Sequence, residues 1–235
     1  MGFACHVIAG GSVGRGVVAE WLCTGSLLLW STLRMVVQLL FMGVWLTYVF
    51  TSESPLLIVL VSLVMLAAAG YEITKRQQYR FKKWHALMIG FLSISVTSLV
   101  LLLGVLTLTI QPQPWYQAQY AIPLLGMLLG NSMTAIGLGL DKQSIEFIKQ
   151  QSLHAAMIPV INMLVAAGII SLPGMMTGQI LAGVEPIEAV KYQIMIMFLV
   201  VVSTGFGTLI ALHLAGKKLF DERERLRIDY LVKAK

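Results

Sequence analysis

The residues of this chain that could do chemistry are mostly uncharged and set in apolar surroundings. SLPGMMTGQILAG (171–183) places Pro173, Gly174, Thr177, Gly178 and Gln179 inside a long hydrophobic run, together with the paired thioethers of Met175 and Met176. A threonine hydroxyl and a glutamine amide can hydrogen-bond a passing solute, and thioether sulfur is a soft donor suited to Cu(I). Methionine is equally a filler of apolar cores, so the two readings of Met175 and Met176 stand side by side. Asn131, Thr134 and Asn162 are further neutral polar residues within apolar runs. With Thr177 and Gln179 they are the candidates to line a path, and Pro173, Gly174 and Gly178 are the candidates for a hinge in it.

Charged candidates are few. Arg34 lies four residues before Gln38, so both face one side of a helix. It either snorkels to a membrane surface or pairs with Glu72 on the next, antiparallel segment. His6, His85, His154 and His213 have no partner at i,i+4, and Cys5 and Cys23 have no metal-type spacing. The glycines of GGSVGRG (10–16) lack the Lys-Ser/Thr of a phosphate loop. The G-x-S-x-G spacing occurs once, in GGSVG (10–14) of that same segment, with no strand-like run before it to form a nucleophile elbow. HExxH and CxxC do not occur, and this chain is read as a transport subunit that is not itself an enzyme.

The elements that must hold these residues follow from composition. Hydrophobic residues make up 57% of the 235 and charged ones 12%, about half the charged share of a soluble domain. A spanning helix needs about 20 mostly apolar residues, and six segments qualify, roughly 30–50, 54–73, 86–110, 121–140, 156–182 and 192–214. The runs are continuous, unlike the alternating strands of a membrane barrel, which predicts an all-α polytopic transmembrane bundle. Residues 1–21 read as an irregular glycine-rich segment and a poor signal peptide, 22–215 as the membrane domain and 216–235 as a charged tail.

Orientation comes from the 17 basic residues. Five lie in 75–83, seven follow Gly216, two lie in 141–154, and Arg15 and Arg34 precede or open the first span. Only Lys191 falls on the other side. Lysine and arginine accumulate on cytoplasmic loops, so six spans place both termini in the cytoplasm. The same rule accounts for the net charge of +6 without nucleic acid as a partner.

Gly126, Gly130 and Thr134 share one helical face, a spacing that allows close packing of membrane helices, and Asn131 beside them is expected to bond across an interface. Gly174 and Gly178 repeat the spacing. Pro173 removes a backbone hydrogen bond and is expected to kink or break its helix about one turn earlier.

Four stretches carry a family resemblance: LRMVVQLLFMGVWLTYVF (33–50), PWYQAQYAIPLLGMLLGNSMTAIGL (114–138), AAMIPVIN (155–162) and SLPGMMTGQILAGVEPIEAVKYQIMIMF (171–198). Over about residues 26–215 the chain resembles the FetB/YbbM family of ABC-type permeases assigned to iron export, which are related to plant aluminium-tolerance permeases. The resemblance implies a bacterial inner-membrane permease, dimeric, partnered by a cytoplasmic ABC ATP-binding subunit that holds ATP and Mg. No cofactor is implied for this chain itself.

Two departures accompany the resemblance. Family members usually begin with an additional membrane helix, and they carry a longer cytoplasmic stretch between the GNSM and PVIN motifs. Here DKQSIEFIKQQSLH (141–154) fills that gap, and Ile145, Glu146, Ile148 and Lys149 are the candidates for coupling to the ATPase, with the basic loop 75–83 as a second contact. The expected function is therefore the permease subunit of an ATP-driven metal exporter. The alternatives are an ATP-independent transporter or channel, or a degenerate permease with impaired coupling. If Arg34 and Glu72 pair, the exchange Arg34→Glu with Glu72→Arg restores the folded yield that each single change loses, as read by size-exclusion chromatography in detergent.

Overall fold

The computed structural model describes the backbone of residues 13–52, 54–75, 79–81, 83–114, 116–146, 149–219 and 231–233, with side chains chiefly over 28–51, 54–74, 87–114, 116–143 and 150–217. The fold is almost entirely helical, as apolar runs of this length demand. In lipid only structures that satisfy their own backbone hydrogen bonds can span.

The chain forms two units, 1–53 and 54–235. The first is one helix, α1 (Val13–Ser52), whose apolar stretch Leu28–Thr51 is exposed almost throughout. Phe41, Trp45 and Tyr48 form a ladder on its surface, with ring centroids 6.4 and 6.1 Å apart. The second unit contains α2 (Pro55–Lys75), α3 (Lys83–Val105) continued by a π-helical turn (Leu106–Ile110), α4 (Ala118–Glu146), α5 (Lys149–Ala166), α6 (Gly174–Leu181) and α7 (Pro186–Leu219). Two three-residue strands, β1 (Tyr79–Phe81) and β2 (Leu231–Lys233), pair antiparallel and tie the 75–83 loop to the tail.

Within this unit α4 is the hub, touching α2, α3, α5 and α7. Ser132 and Ser203 share a hydrogen bond of 3.0 Å, and the Gln143 amide donates to the Leu212 carbonyl at 3.2 Å, so α4 and α7 run parallel. A Cβ placed on Gly139 would sit 3.2 Å from both Ala156 of α5 and Thr208 of α7. On the α2–α3 side, a Cβ placed on Gly70 would sit 3.1 Å from Phe91 and one on Gly90 3.2 Å from Ile73, pairings that set those helices antiparallel. Glycine at these positions lets backbones approach, and dispersion between close surfaces is the main attraction left when lipid is as apolar as the core.

The interior is unusually rich in hydroxyls. Ser93, Ser98, Ser132, Ser203, Thr204 and Thr208 are fully buried. Ser93 and Thr97 return their hydroxyl protons to carbonyls one turn back on α3, the standard way to hide such a group in a helix. Those of Ser95, Ser98, Thr204 and Thr208 have no partner among the described residues.

Three sequence expectations change. Five helices, not six, are long and apolar enough to span among the described residues: 28–51, 55–74, 87–110, 118–143 and 186–217. The expected continuous helix over 156–182 is instead α5, a turn and α6. Because α5 leaves the end of the bundle where α4 finishes, and α7 starts at the other end, 149–186 still carries the chain from one end to the other. The break has a local cause: Gly168 adopts φ +83°, which ends α5. The segment 1–21, expected to be irregular, is helical from Val13 onward. The glycines there cost about 1 kcal/mol each in a helix, and Val17 to Leu22 continue it.

The 141–154 stretch, which fills the gap between the GNSM and PVIN motifs, is helix on both sides of residues 147–148. Gln143 is fully buried there. Arg34 is exposed on α1 of the first unit, while Glu72 is half-buried near the end of α2 in the second.

Overpacking a well-filled contact costs about 1–3 kcal/mol. Gly139→Val therefore lowers the thermal unfolding midpoint in detergent, whereas Gly130→Ala, where an added Cβ meets no described atom within 4 Å, holds or raises it, since alanine is the better helix former.

Candidate functional site

The end of α5 is built to stop a helix without leaving its backbone hydrogen-bonding groups bare. Gly168 in the left-handed region turns the chain, and its N–H donates to the Ser171 carbonyl at 2.9 Å. The Ala166 carbonyl accepts from both Ile170 (2.9 Å) and Ser171 (3.0 Å). Pro173, at φ −60° and ψ 137°, is the cap of α6 and not an interior kink. Its missing N–H is harmless there, since the first N–H groups of a helix have no partner in the helix anyway. The Pro173 carbonyl accepts from the Thr177 N–H at 3.0 Å and from the Thr177 hydroxyl at 3.1 Å. Gly183, at φ +91°, closes α6 in the same way that Gly168 closes α5.

Two adjoining cavities flank the break. One, about 250 Å³, is walled by Met127 and Asn131 of α4, Met163 of α5, Met175 at the start of α6, and Gln193 and Met197 of α7. The other, about 550 Å³, is almost wholly apolar and shares Ala167, Pro173, Gln193 and Met197 with the first. Met127 and Asn131 lie roughly 14–20 Å along α4 from its first residue, which is close to the middle of a hydrocarbon core about 30 Å thick. The break and its cavities therefore sit near half-height along α4, on a side of this unit where Ile169, Ile170 and Leu172 are exposed.

Of the path and hinge candidates, the structure brings Asn131, Pro173 and Gly174 together around this cavity, with Met175 beside them. Met176 borders the larger cavity. Asn131 donates its amide to the Met127 carbonyl of its own helix at 2.9 Å, where a bond across an interface was expected. Thr134 returns its hydroxyl to the Gly130 carbonyl at 3.1 Å, and Asn162 is exposed on α5. Gln179 is half-buried, and its amide oxygen is fully enclosed without a partner among the described residues.

The glycines expected in close helix packing are not used that way within this unit. Gly126 has only Met65 near it, at 3.4 Å, and no described atom comes within 4 Å of a Cβ placed on Gly130, Gly174 or Gly178. The close approaches belong to Gly70, Gly90, Gly139 and Gly207, which the small-residue spacing did not single out. Ile145 and Glu146 end α4 and Lys149 opens α5. Ile148 and the four side chains of this set lie outside the described residues.

Gln193 was missed by sequence reasoning. It is 9% exposed, it lines both cavities, and its amide oxygen has no partner among the described residues. An orphaned buried acceptor of this kind costs about 1–3 kcal/mol. The signal was a lone amide in the apolar run KYQIMIMF, the same signal that marked Gln179. No group of three His, Cys, Asp or Glu side chains that could hold a metal occurs among the described residues.

Residues 17–149 and 141–220 match UPF0014, described as an uncharacterised protein family. The two matched segments meet at 141–149, the joint between α4 and α5. The chain is 31% identical to UPF0014 membrane protein slr1647 of Synechocystis over 86% of each chain. It is also 31% identical to an Escherichia coli protein named "Probable iron export permease protein FetB", over 88% of this chain and 86% of that one. Protein ALUMINUM SENSITIVE 3 of Arabidopsis thaliana is 30% identical over 85% and 80% of the two chains. The 230 aligned positions with the Escherichia coli protein exceed the share of this chain they engage, so that relative carries residues this chain lacks. No solved structure matches the chain.

The geometry of the break makes Gly168 more critical than Pro173. A side chain in the left-handed region costs about 1–2 kcal/mol. Gly168→Val lowers the unfolding midpoint in detergent clearly more than Pro173→Ala does, the reverse of what a proline-induced break would give.

Proposed function

The chain belongs to the UPF0014 family, and from that premise we propose that it is the membrane-spanning permease subunit of an ATP-driven exporter of metal ions, energised by a separate ATP-binding subunit. It is a multi-pass membrane protein of the bundle type. The single observation that carries the reading is its likeness, over most of both chains, to a protein whose name assigns it to iron export. The broken crossing beside a cavity at mid-bilayer depth supports it, because non-helical backbone at that depth is tolerated where it is buried in protein or lines a cavity.

In this reading the cargo occupies the cavity beside Asn131 and Gln193, and the turn from Gly168 to Pro173 is the hinge about which α6 moves. Thr177 keeps the start of α6 intact as it moves, since its hydroxyl and N–H both hold the Pro173 carbonyl. The joint between α4 and α5, with Ile145, Glu146, Ile148 and Lys149, receives the ATPase. ATP and Mg belong to that partner, two permease chains assemble together, and the location is the bacterial inner membrane. Reconstituted with its cognate ATPase, the chain exports its metal cargo from proteoliposomes, loaded with iron or with a soft monovalent ion in separate trials, only with ATP and Mg. Flux that is indifferent to ATP, together with no ATPase subunit retained on purification, would sink the reading.

A second reading has one observation in its favour. Transporters driven by ion gradients place broken helices at the midplane, with half-helix ends facing the cargo, and α5–α6 has that form. Gradient-dependent flux without ATP would select it. The residues that the Escherichia coli relative has and this chain lacks give a variant of the first reading, in which coupling is impaired. There, a relative-length insertion at 147–148 raises stimulated ATP hydrolysis.

A further inference from the structure

Four of the twelve residues that wall the smaller cavity are methionines, against 13 methionines in the 235-residue chain. Filler methionine would be spread through the bundle. Here Met127, Met163, Met175 and Met197 come from α4, α5, α6 and α7, four different elements that together wall this cavity. The remaining ligand-grade atoms on the wall are the amides of Asn131 and Gln193 and the hydroxyl of Ser171. No carboxylate, imidazole or thiol lines the cavity.

We propose that this cavity is a binding site for a soft monovalent metal ion of the Cu(I) or Ag(I) kind, held by the four thioethers with amide oxygens completing the shell. Two physical arguments choose that class. Thioether sulfur selects soft ions, while hard ions and borderline divalent ones prefer carboxylate, imidazole or thiolate. The penalty for moving an ion out of water rises with the square of its charge, and this cavity offers no counter-charge at mid-bilayer depth, so a monovalent ion is favoured over a divalent or trivalent one.

The amides fit the same cation. Asn131 has its nitrogen tied to the Met127 carbonyl, which leaves its oxygen as the atom free to ligate. The Gln193 oxygen is a buried acceptor with no donor among the described residues, and a cation would satisfy it. As a statement about cargo this inference rests on the permease reading, but as a statement about binding it does not.

The test uses the full chain with Cys5→Ser and Cys23→Ser, so that no thiol competes, and Ag(I) as the probe because it has no redox chemistry to confuse the readout. The purified protein in detergent is expected to bind a single Ag(I) per chain, with sulfur neighbours in X-ray absorption at the silver edge. With thiols gone, that sulfur can only be thioether. Met163→Leu with Met197→Leu conserves volume and so keeps the fold. It is expected to weaken Ag(I) binding by about tenfold or more, roughly the effect of removing one favourable contact per ligand. Met195→Leu, whose residue does not line the cavity, leaves binding unchanged.

Absence of stoichiometric Ag(I) binding overturns the proposal. So does binding that survives all four Met→Leu changes, or an oxygen and nitrogen shell without sulfur. If Ag(I) binds as expected but ATP-driven flux fails, the permease reading falls and the site stands; the converse result removes the site alone.

Discussion

A backbone N–H or C=O without a partner in the hydrocarbon of a bilayer costs several kcal/mol, and every part of this chain is arranged around that constraint. It makes the apolar runs helical and sets their length. It also decides where the chain can stop being helical. The turn after α5 survives at mid-bundle depth because Ala166 accepts two N–H groups, Ser171 accepts one, and proline stands where an N–H would have gone unpaired.

The same constraint orders the packing. Lipid is as apolar as the core, so burying leucine against leucine gives little net association. Close backbone approach supplies it instead, at Gly70 and Gly90 between α2 and α3, and at Gly139 and Gly207 where α3, α4, α5 and α7 meet. The hydroxyls of Ser132 and Ser203 join α4 to α7 at the centre, and Gln143 joins them again toward the basic end. With α4 and α7 held parallel, α5 packs against both and α6 lies against α7.

That arrangement sets an unsatisfied amide oxygen and several soft donors around one cavity. Gln193 and Gln179 each bury an amide oxygen without a partner among the described residues, and the methionines converge beside Gln193. A rigid apolar core would have no use for such groups. In the proposed reading they serve a solute that satisfies them only while it is bound.

Much of this was legible in the sequence. The long apolar runs, the one-sided lysines and arginines, and the departure at SLPGMMTGQILAG follow from composition and periodicity, because a bilayer imposes length and polarity on each segment independently. The site was legible only in part: Asn131, Pro173, Gly174 and Met175 were singled out, and they do surround one cavity. The helix stop was assigned to Pro173 and belongs to Gly168, since a positive φ leaves no mark beyond the glycine itself and glycines are common here. The glycines that touch another helix could not be told from those that do not, because spacing places residues on a face without saying what lies opposite. Gln193 and the convergence of four methionines from four elements belong to the tertiary structure alone, for they depend on which helices lie side by side and at what height.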